Sequence, residues 1–582
     1  MLTKAVITNE AFRLEYNYKD VCPKKISSVV MARNDRAACQ LILQSDKHYS
    51  VSLSRGDWFS DFEKVAAGKA LSGHDRFRIA VNSPLKVSTH HVGMFFDDDE
   101  TKKADILLDQ DVVETYANMP TSVWVEFESG KDTRAGEYSA EIKVYHSLYG
   151  EDEKEVASFN VTVKVYGVLL DDSRSWRFHL DLWQHHCNLA RHSDVRLWSD
   201  EHFELMKPYA KSMADLGQKA VSVCVSEIPW GGQLCELDHR YGGNLFEYSS
   251  VFVTKKLDGS FEYDFSKMQR IIDTYAEAGV DKVIEVFGLV NLWGVKGYPS
   301  GKPIDEYPEN IKIRYLDESD GAQKYLRHGE DFVAYVKALE KYFVDTKQID
   351  KVRIAADEPA DPERYSKSLD MLKSIAPSFR GSCAINHAEF IGQFHERIDD
   401  FVPYLGCTVQ EYDRLQEYKA AYTEKKFLWY VCCNREMKPN TFISSYPIES
   451  RTIGLMTSFF GFDGFARWAY TIWSEDPRKD VRHSAFEAGD TCFVYPGYNG
   501  KPLLSLRYKN LQRGIADYEL LTRYREKFGD DPTDKLLKKV LIFDDIRTYV
   551  NNGCCRHESE LFSVDFEDYN AIKKMSLRDL NN

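Results

Sequence analysis

Over residues 1–170, apolar and polar positions alternate in short runs, as in "SAEIKVY" (139–145) and "SFNVTVKVYG" (158–167). A period of two belongs to a strand with one buried face. Gly, Asp, Asn and Pro punctuate these runs, and "KDTRAGEY" is turn chemistry between two of them. The pattern predicts an antiparallel β-sandwich.

The rhythm changes at "DDSRSWRFHLDLW". From 171 to 526, short β-rich runs alternate with stretches of helical period. The predicted strands are "FHLDLW" (178–183), "AVSVCVS" (220–226), "KVIEVF" (282–287), "KVRIAA" (351–356), "RGSCAI" (380–385), "YLGCTV" (404–409), "KFLWYVC" (426–432) and "GFARWA" (464–469). Helical patterns between and after them include "DEHFELMKPYAKSMADLG", "KMQRIIDTYAEAG", "EDFVAYVKALEKYF" and "LRYKNLQRGIADYELLTRYREKF". Eight strands alternating with eight helices is the count of a (β/α)8 TIM-type barrel. An open doubly wound sheet fits the same alternation, but no GxGxxG or P-loop follows any strand, which weakens its nucleotide-binding form. The expected layout is a sandwich over 1–170, a barrel over 171–526 and a mixed tail over 527–582 packed on the barrel. The stretches 227–264 and 288–328 become enlarged second and third βα loops.

A chain of 582 residues exceeds one ordinary core. A net charge of −15 argues against a nucleic-acid or anionic-membrane surface. No 18-residue apolar span occurs, and "MLTKAVITNEAFRLEYNYKD" lacks the apolar core of a signal peptide, so a cytoplasmic location is expected. The twelve cysteines form no CxxC pair. Cys224, Cys383, Cys407 and Cys432 fall in apolar runs, where a thiol acts as a small hydrophobe, and the adjacent cysteines of "NNGCCRH" bridge poorly. "HHCNLARH" matches no standard zinc spacing. Neither a metal nor a cofactor is expected.

Barrel active sites are built at the carboxyl ends of the strands. Strand one ends in Trp183, Gln184, His185 and Asn188; strand two precedes Glu227 and Trp230; strand three precedes Asn291 and Trp293. Strand four delivers Asp357 and Glu358, strand five Asn386 and His387, and strand six Gln410, Glu411 and Tyr412. Strand seven ends near Asn434, and strand eight runs into Arg467, Trp468, Tyr470 and Trp473. Singly, each has a structural reading: a carboxylate after a strand caps the next helix, and an aromatic packs the rim. Together, with 34 Tyr, 33 Phe and 10 Trp in the chain, they suit a polyhydroxylated ligand stacked on rings.

The doublet in "RIAADEPAD" (353–361) is the sharpest signal. Glycoside hydrolysis needs a proton donor and a group that stabilises the anomeric carbon. Adjacent strand residues point to opposite faces, so a doublet works only where strand breaks into loop, and then from one side. One acid then protonates the leaving oxygen while its neighbour orients a nucleophile within the substrate, such as a 2-acetamido group. Side by side, two acids resist double ionisation, which keeps one protonated.

The chain resembles glycoside hydrolase family 123 in this acid pair, in "HLDLWQ" (179–184), and most specifically in "GFDGFARWAYTIWSEDP", "AGDTCFVYPG" and "SLRYKNLQRGIADYELL". The resemblance implies a retaining exo-β-N-acetylgalactosaminidase working by substrate assistance, with Asp357 positioning the acetamido group and Glu358 as general acid/base. It also implies a sugar-pocket role for Trp468 and Tyr470. Trp183, His185, Asn386, His387, Tyr412 and Arg467 complete the expected substrate-binding set, with an oligosaccharide or glycan fragment as partner. Two alternatives stand. One is a glycosidase with a conventional nucleophile among Glu227, Glu285 and Glu411; the other is a carbohydrate-binding protein without turnover.

Overall fold

A computed structural model describes residues 2–15, 23–53, 75–148, 151–229, 246–292, 310–483, 485–551 and 553–581. Two sheets come first. One has five antiparallel strands, in the order Leu2–Asn9, Arg36–Ser45, Thr121–Glu128, Lys86–Phe96, Lys102–Leu108. The other has six, built around Gly136–Ser147 and Lys154–Leu169, with two parallel pairings among antiparallel ones. Their facing side chains, including Leu41, Val123 and Val125 from one and Ile79, Val144 and Val163 from the other, make a single core. Strand alternation sends Val6, Ile42 and Trp124 to the other face of the five-stranded sheet, where they meet Leu506. That sheet is thus buried on both sides, which explains its nearly continuous apolar runs.

The barrel strands are β1 His179–Leu182, β2 Ala220–Cys224, β3 Val283–Phe287, β4 Val352–Asp357, β5 Arg380–Ile385, β6 Ile398–Pro403, β7 Lys426–Tyr430 and β8 Gly464–Arg467. All their pairings are parallel, each strand from β2 to β8 beside its chain neighbour and β8 beside β1. One expectation fails here: "YLGCTV" is not the sixth strand. Leu405–Gln410 is a helix, and the strand is "IDDFVP", just before it. The charged pair Asp399–Asp400 obscured it: both acids meet Arg353, and Asp399 also bonds Arg380 and Lys425, so paired charge interrupts the buried Ile398, Phe401 and Val402.

The β1–β2 seam is closed largely by side chains. The Lys219 N–H donates to Leu180 O at 2.9 Å. Beyond it, the Gln218 amide accepts from Leu182 N–H (2.9 Å) and donates to Leu182 O (3.2 Å), while Gln184 Oε1 accepts from Ser222 N–H (2.7 Å). Two glutamines thus satisfy backbone groups that a ladder would otherwise pair.

The helix Leu506–Phe528 is the spine of the molecule, buried over most of its length. It crosses the helix Pro447–Phe460 so closely that a Cβ on Gly454 would lie 1.9 Å from Gly514 O. Its charged side chains reach back to the sandwich: Lys509 and Arg513 to Glu126 at 2.6 and 2.5 Å, Arg513 to Glu10 at 2.9 Å, and Arg507 to Asp105 at 2.9 Å. The enlarged second and third βα loops share a four-stranded sheet, Phe261–Asp264, Phe252–Lys255, Arg314–Asp317, Gln323–Tyr325. After the spine, the terminal helix Phe566–Asn581 wedges between sandwich and spine, with Leu577 against Ala32, Leu170 and Ala516.

Candidate active site

At the carboxyl ends of the strands lies a cavity of about 570 Å³, a size suited to a small ligand. Asp357 is the last residue of β4, and strand alternation alone would turn Glu358 away from it. Glu358 instead takes a left-handed backbone, φ +42°, which breaks the alternation and brings both carboxyls to the cavity. Such a conformation is uncommon for a residue with a Cβ and needs support. The support is visible: Asp357 N–H donates to Asn291 O (2.9 Å), Asn291 Nδ2 donates back to Asp357 O (2.7 Å), and Glu358 N–H donates to Ala384 O (3.1 Å). Capping the helix Pro362–Ile375 falls to Asp361, which accepts from Arg364 N–H at 3.0 Å, so neither acid of the doublet is spent on it.

Burial, and then the charge of Glu358, push the Asp357 carboxyl up to about 8. Asp357 therefore favours its protonated form in the unliganded site at neutral pH. The Tyr430 hydroxyl donates to Glu358 Oε1, and Asn386 Oδ1 lies 3.4 Å from the same hydroxyl.

A second acid pair forms the floor. Asp181 on β1 and Glu285 on β3 are both buried and both line the cavity. Burial lifts Asp181 to about 7, and burial together with the Asp181 charge lifts Glu285 well above the ordinary range. Burial thus works against an ionised Glu285, the form a carboxylate nucleophile needs. Glu227 is committed elsewhere, to Arg314 (2.9 Å) and Tyr325. Glu411 caps Ala388 N–H (3.1 Å) and pairs with Arg414 (3.1 Å). Neither lines the cavity.

Of the expected binding residues, Trp183, Asn386, Arg467 and Trp468 line the cavity. Arg467 does so as a brace: it holds Asp490 Oδ1 (2.7 Å) and Val431 O (3.1 Å). Asp490 also accepts from Cys433 N–H (3.0 Å) and from the Trp468 ring N–H (3.4 Å), tying the ends of β7 and β8 together. The other four lie outside the lining. His185 is buried behind Trp468, ring centroids 6.5 Å apart, and the exposed His387 ring lies 4.0 Å from Glu411. Tyr412 packs on Phe459 and Phe460; Tyr470 is buried and bonded to Ser212 (2.7 Å). "HHCNLARH" is structural, with His186 on Ser222 O (3.0 Å) and His192 edge-on to Trp473. Trp230 and Trp293 lie outside the described residues.

Sequence reasoning passed over Tyr404, Tyr430, Phe486 and the floor acid Asp181, and named Glu285 only as an alternative nucleophile. Tyr430 is the final residue of β7 and Tyr404 follows β6 directly, so correct strand ends would have found both. Phe486 packs tilted against Trp468, ring centroids 4.8 Å apart, in a loop whose Ala488 N–H is held by Asp98 of the sandwich at 2.8 Å. The sandwich therefore buttresses the cavity wall. Nothing in the local pattern announces that contact.

The family model described as Glycoside hydrolase 123, catalytic domain, matches residues 183–524, more than half of the chain. The chain belongs to glycoside hydrolase family 123. A family 123 glycoside hydrolase from Clostridium perfringens, solved for the details of glycolipid glycan hydrolysis, shares its fold at TM-score 0.74 and 15% identity, covering 100% of this chain and 98% of that one. An endo-β1,6-glucanase matches at TM-score 0.33 and 10% identity over 62% of this chain and 81% of its own. The catalytic domain of a Pyrococcus furiosus chitinase matches at 0.28 and 9% over 59% and 96%. No curated protein matches. The family 123 chain is thus a glycosidase acting on a carbohydrate, and among its described residues no helix is long and apolar enough to cross a membrane.

Proposed function

We propose that this family 123 hydrolase removes terminal β-linked N-acetylgalactosamine with retention, the substrate's own 2-acetamido group serving as nucleophile. The observation that carries the reading is the left-handed Glu358, which turns two sequence-adjacent carboxyls into one cavity. Two acids on one side cannot flank a glycosidic bond as nucleophile and acid from opposite faces. They can divide the labour if the nucleophile arrives with the sugar.

In this scheme Asp357 accepts the acetamido N–H, and the amide carbonyl oxygen attacks the anomeric carbon. The incoming N–H favours the charged form of Asp357, so the proton resting there in the free site passes to Glu358. Glu358 delivers it to the departing oxygen, then takes a proton from the water that opens the oxazoline-type intermediate. Tyr430 holds the Glu358 carboxyl through both steps. Trp183 and Trp468 supply apolar faces for the sugar ring. Glycan fragments ending in this sugar, from glycolipids among other sources, are the expected substrates.

Aryl β-glycosides of N-acetylgalactosamine, N-acetylglucosamine, galactose and glucose test the reading, beside two variants. Turnover should require the 2-acetamido group. Glu358→Gln should lose far more activity on poor leaving groups than on activated ones, and Asp357→Asn should lose both. Equal turnover of the galactoside and its 2-acetamido counterpart would overturn the proposal.

A further inference from the structure

The pair Cys432–Cys433 occurs where β7 leaves the barrel, and both residues line the catalytic cavity. Asn434 N–H donates to Cys432 O at 2.6 Å, closing a three-residue γ-turn, and Cys433 at its centre has φ +59°. This form of the γ-turn is rare and strained, and strain of this kind concentrates at functional sites. Its effect here is specific. The two sulfurs lie 3.4 Å apart, Cys433 exposed and Cys432 just beneath it.

A second "CC" in the chain shows what the turn achieves. Cys554 and Cys555 sit in a short strand, where successive side chains point to opposite faces. The Cys555 sulfur turns inward toward Lys438 O (3.6 Å) and Met437 (3.9 Å), while Cys554 is exposed. The same dipeptide thus gives a paired dithiol in one place and two separate thiols in the other.

The spacing decides what the paired thiols can hold. A direct disulfide of about 2.05 Å would have to form between Cα atoms only about 3.8 Å apart, below the span disulfides adopt. A bridging atom fits without that strain. With bonds of about 2.3 Å to each sulfur, the 3.4 Å separation opens about 95° at the bridge. A tetrahedral ion would need the sulfurs about 3.8 Å apart and further ligands. Among the described residues no group of three or more His, Cys, Asp and Glu is placed to hold a metal ion. Trivalent arsenic bearing one organic group is pyramidal, with angles near a right angle, and needs only two thiols.

We propose that Cys432 and Cys433 form a chelating site for monosubstituted trivalent arsenicals on the wall of the sugar cavity. In the step, R–As(OH)2 and two thiols give R–As(S)2 and two waters. Two As–O bonds break, two As–S bonds form, the thiol protons leave in the water, and no oxidation state changes. The adduct would stand in the cavity and block turnover.

Phenylarsine oxide and intact-mass spectrometry of the full chain test this. The expected result is one phenylarsenic adduct per chain that survives excess 2-mercaptoethanol and is released by 2,3-dimercaptopropanol. It should be lost in Cys432→Ser and Cys433→Ser and kept in Cys554→Ser. Peptide mapping of the wild type reads the same site without relying on a variant's folding: 432 and 433 should be shielded from alkylation only in the adduct. No monothiol-resistant adduct, an adduct retained in Cys433→Ser, or shielding at 554 and 555 instead would overturn the proposal.

Discussion

Replacing Asp357 by Asn should make the protein more stable while removing its activity, and the gain should depend on pH in one direction. The folded chain holds the Asp357 proton up to about 8, whereas the unfolded chain releases it near 3.8. Between those values the folded state binds more protons than the unfolded state, so unfolding free energy falls as pH rises. The cost is absent below about pH 4, accumulates through the window and is complete above about pH 8. The full separation sets an upper bound of about 6 kcal/mol. Water in the open cavity and relaxation around the pair reduce this to about 1–2 kcal/mol. Asparagine keeps the shape and carries no charge, so it removes this term. For a barrel unfolding as a unit of this size, each kcal/mol moves the midpoint by about 1.5 °C. Scanning calorimetry of both proteins from about pH 5 to about pH 9 should show the variant's advantage growing to about 1.5–3 °C and then levelling off. A difference that stays flat across the window, or that shrinks as pH rises, would refute the reasoning.

Three other expectations bear on the site and its scaffold. Tyr430→Phe removes the hydroxyl that holds the Glu358 carboxyl, a contact of about 1–3 kcal/mol, and kcat/KM should drop about 10- to 100-fold, most on poor leaving groups. Gly454→Ala forces a methyl toward Gly514 O and should cost about 1–3 kcal/mol in thermal unfolding, while Gly136→Ala, open to space, serves as the neutral control. Glu126→Ala removes the acid that pairs with Lys509, leaves Arg513 with Glu10 alone, and should cost about 3–5 kcal/mol in denaturant titration near neutral pH. Burial opposes ionisation of Glu126, but its two cationic partners overcome it and hold the carboxyl down to about 2. The Glu126 contribution is therefore full above about pH 4.5 and should fade as pH falls through about 2, so the variant and wild type should converge in acid.

The elements with plain periodicity were legible before the structure. The spine helix Leu506–Phe528 and strand β5 match their expected limits residue for residue, the helix lying between a capping Ser505 and Gly529. Strand β6 was hidden because it buries acids against Arg353, Arg380 and Lys425, and no periodicity scan reads a paired charge as core. That miss carried Tyr404 with it and pulled attention to Tyr412, one helix too far along. The doublet itself could be located, but not the left-handed turn that makes it work, because a positive φ at Glu358 depends on partners from Asn291 and Ala384. His185 and Tyr470 were drawn in by proximity to strand ends. Their side chains point into packing layers that only the closed barrel defines.

The central claim is that the sugar supplies the nucleophile while adjacent acids steer and protonate. Inhibition by the thiazoline analogue of N-acetylgalactosamine, which mimics the cyclised intermediate, tests it most directly. Tight competitive inhibition of the wild type, largely lost in Asp357→Asn, is the predicted result. An unbound thiazoline, together with a 2-fluoro glycoside that labels a carboxylate covalently, would contradict it.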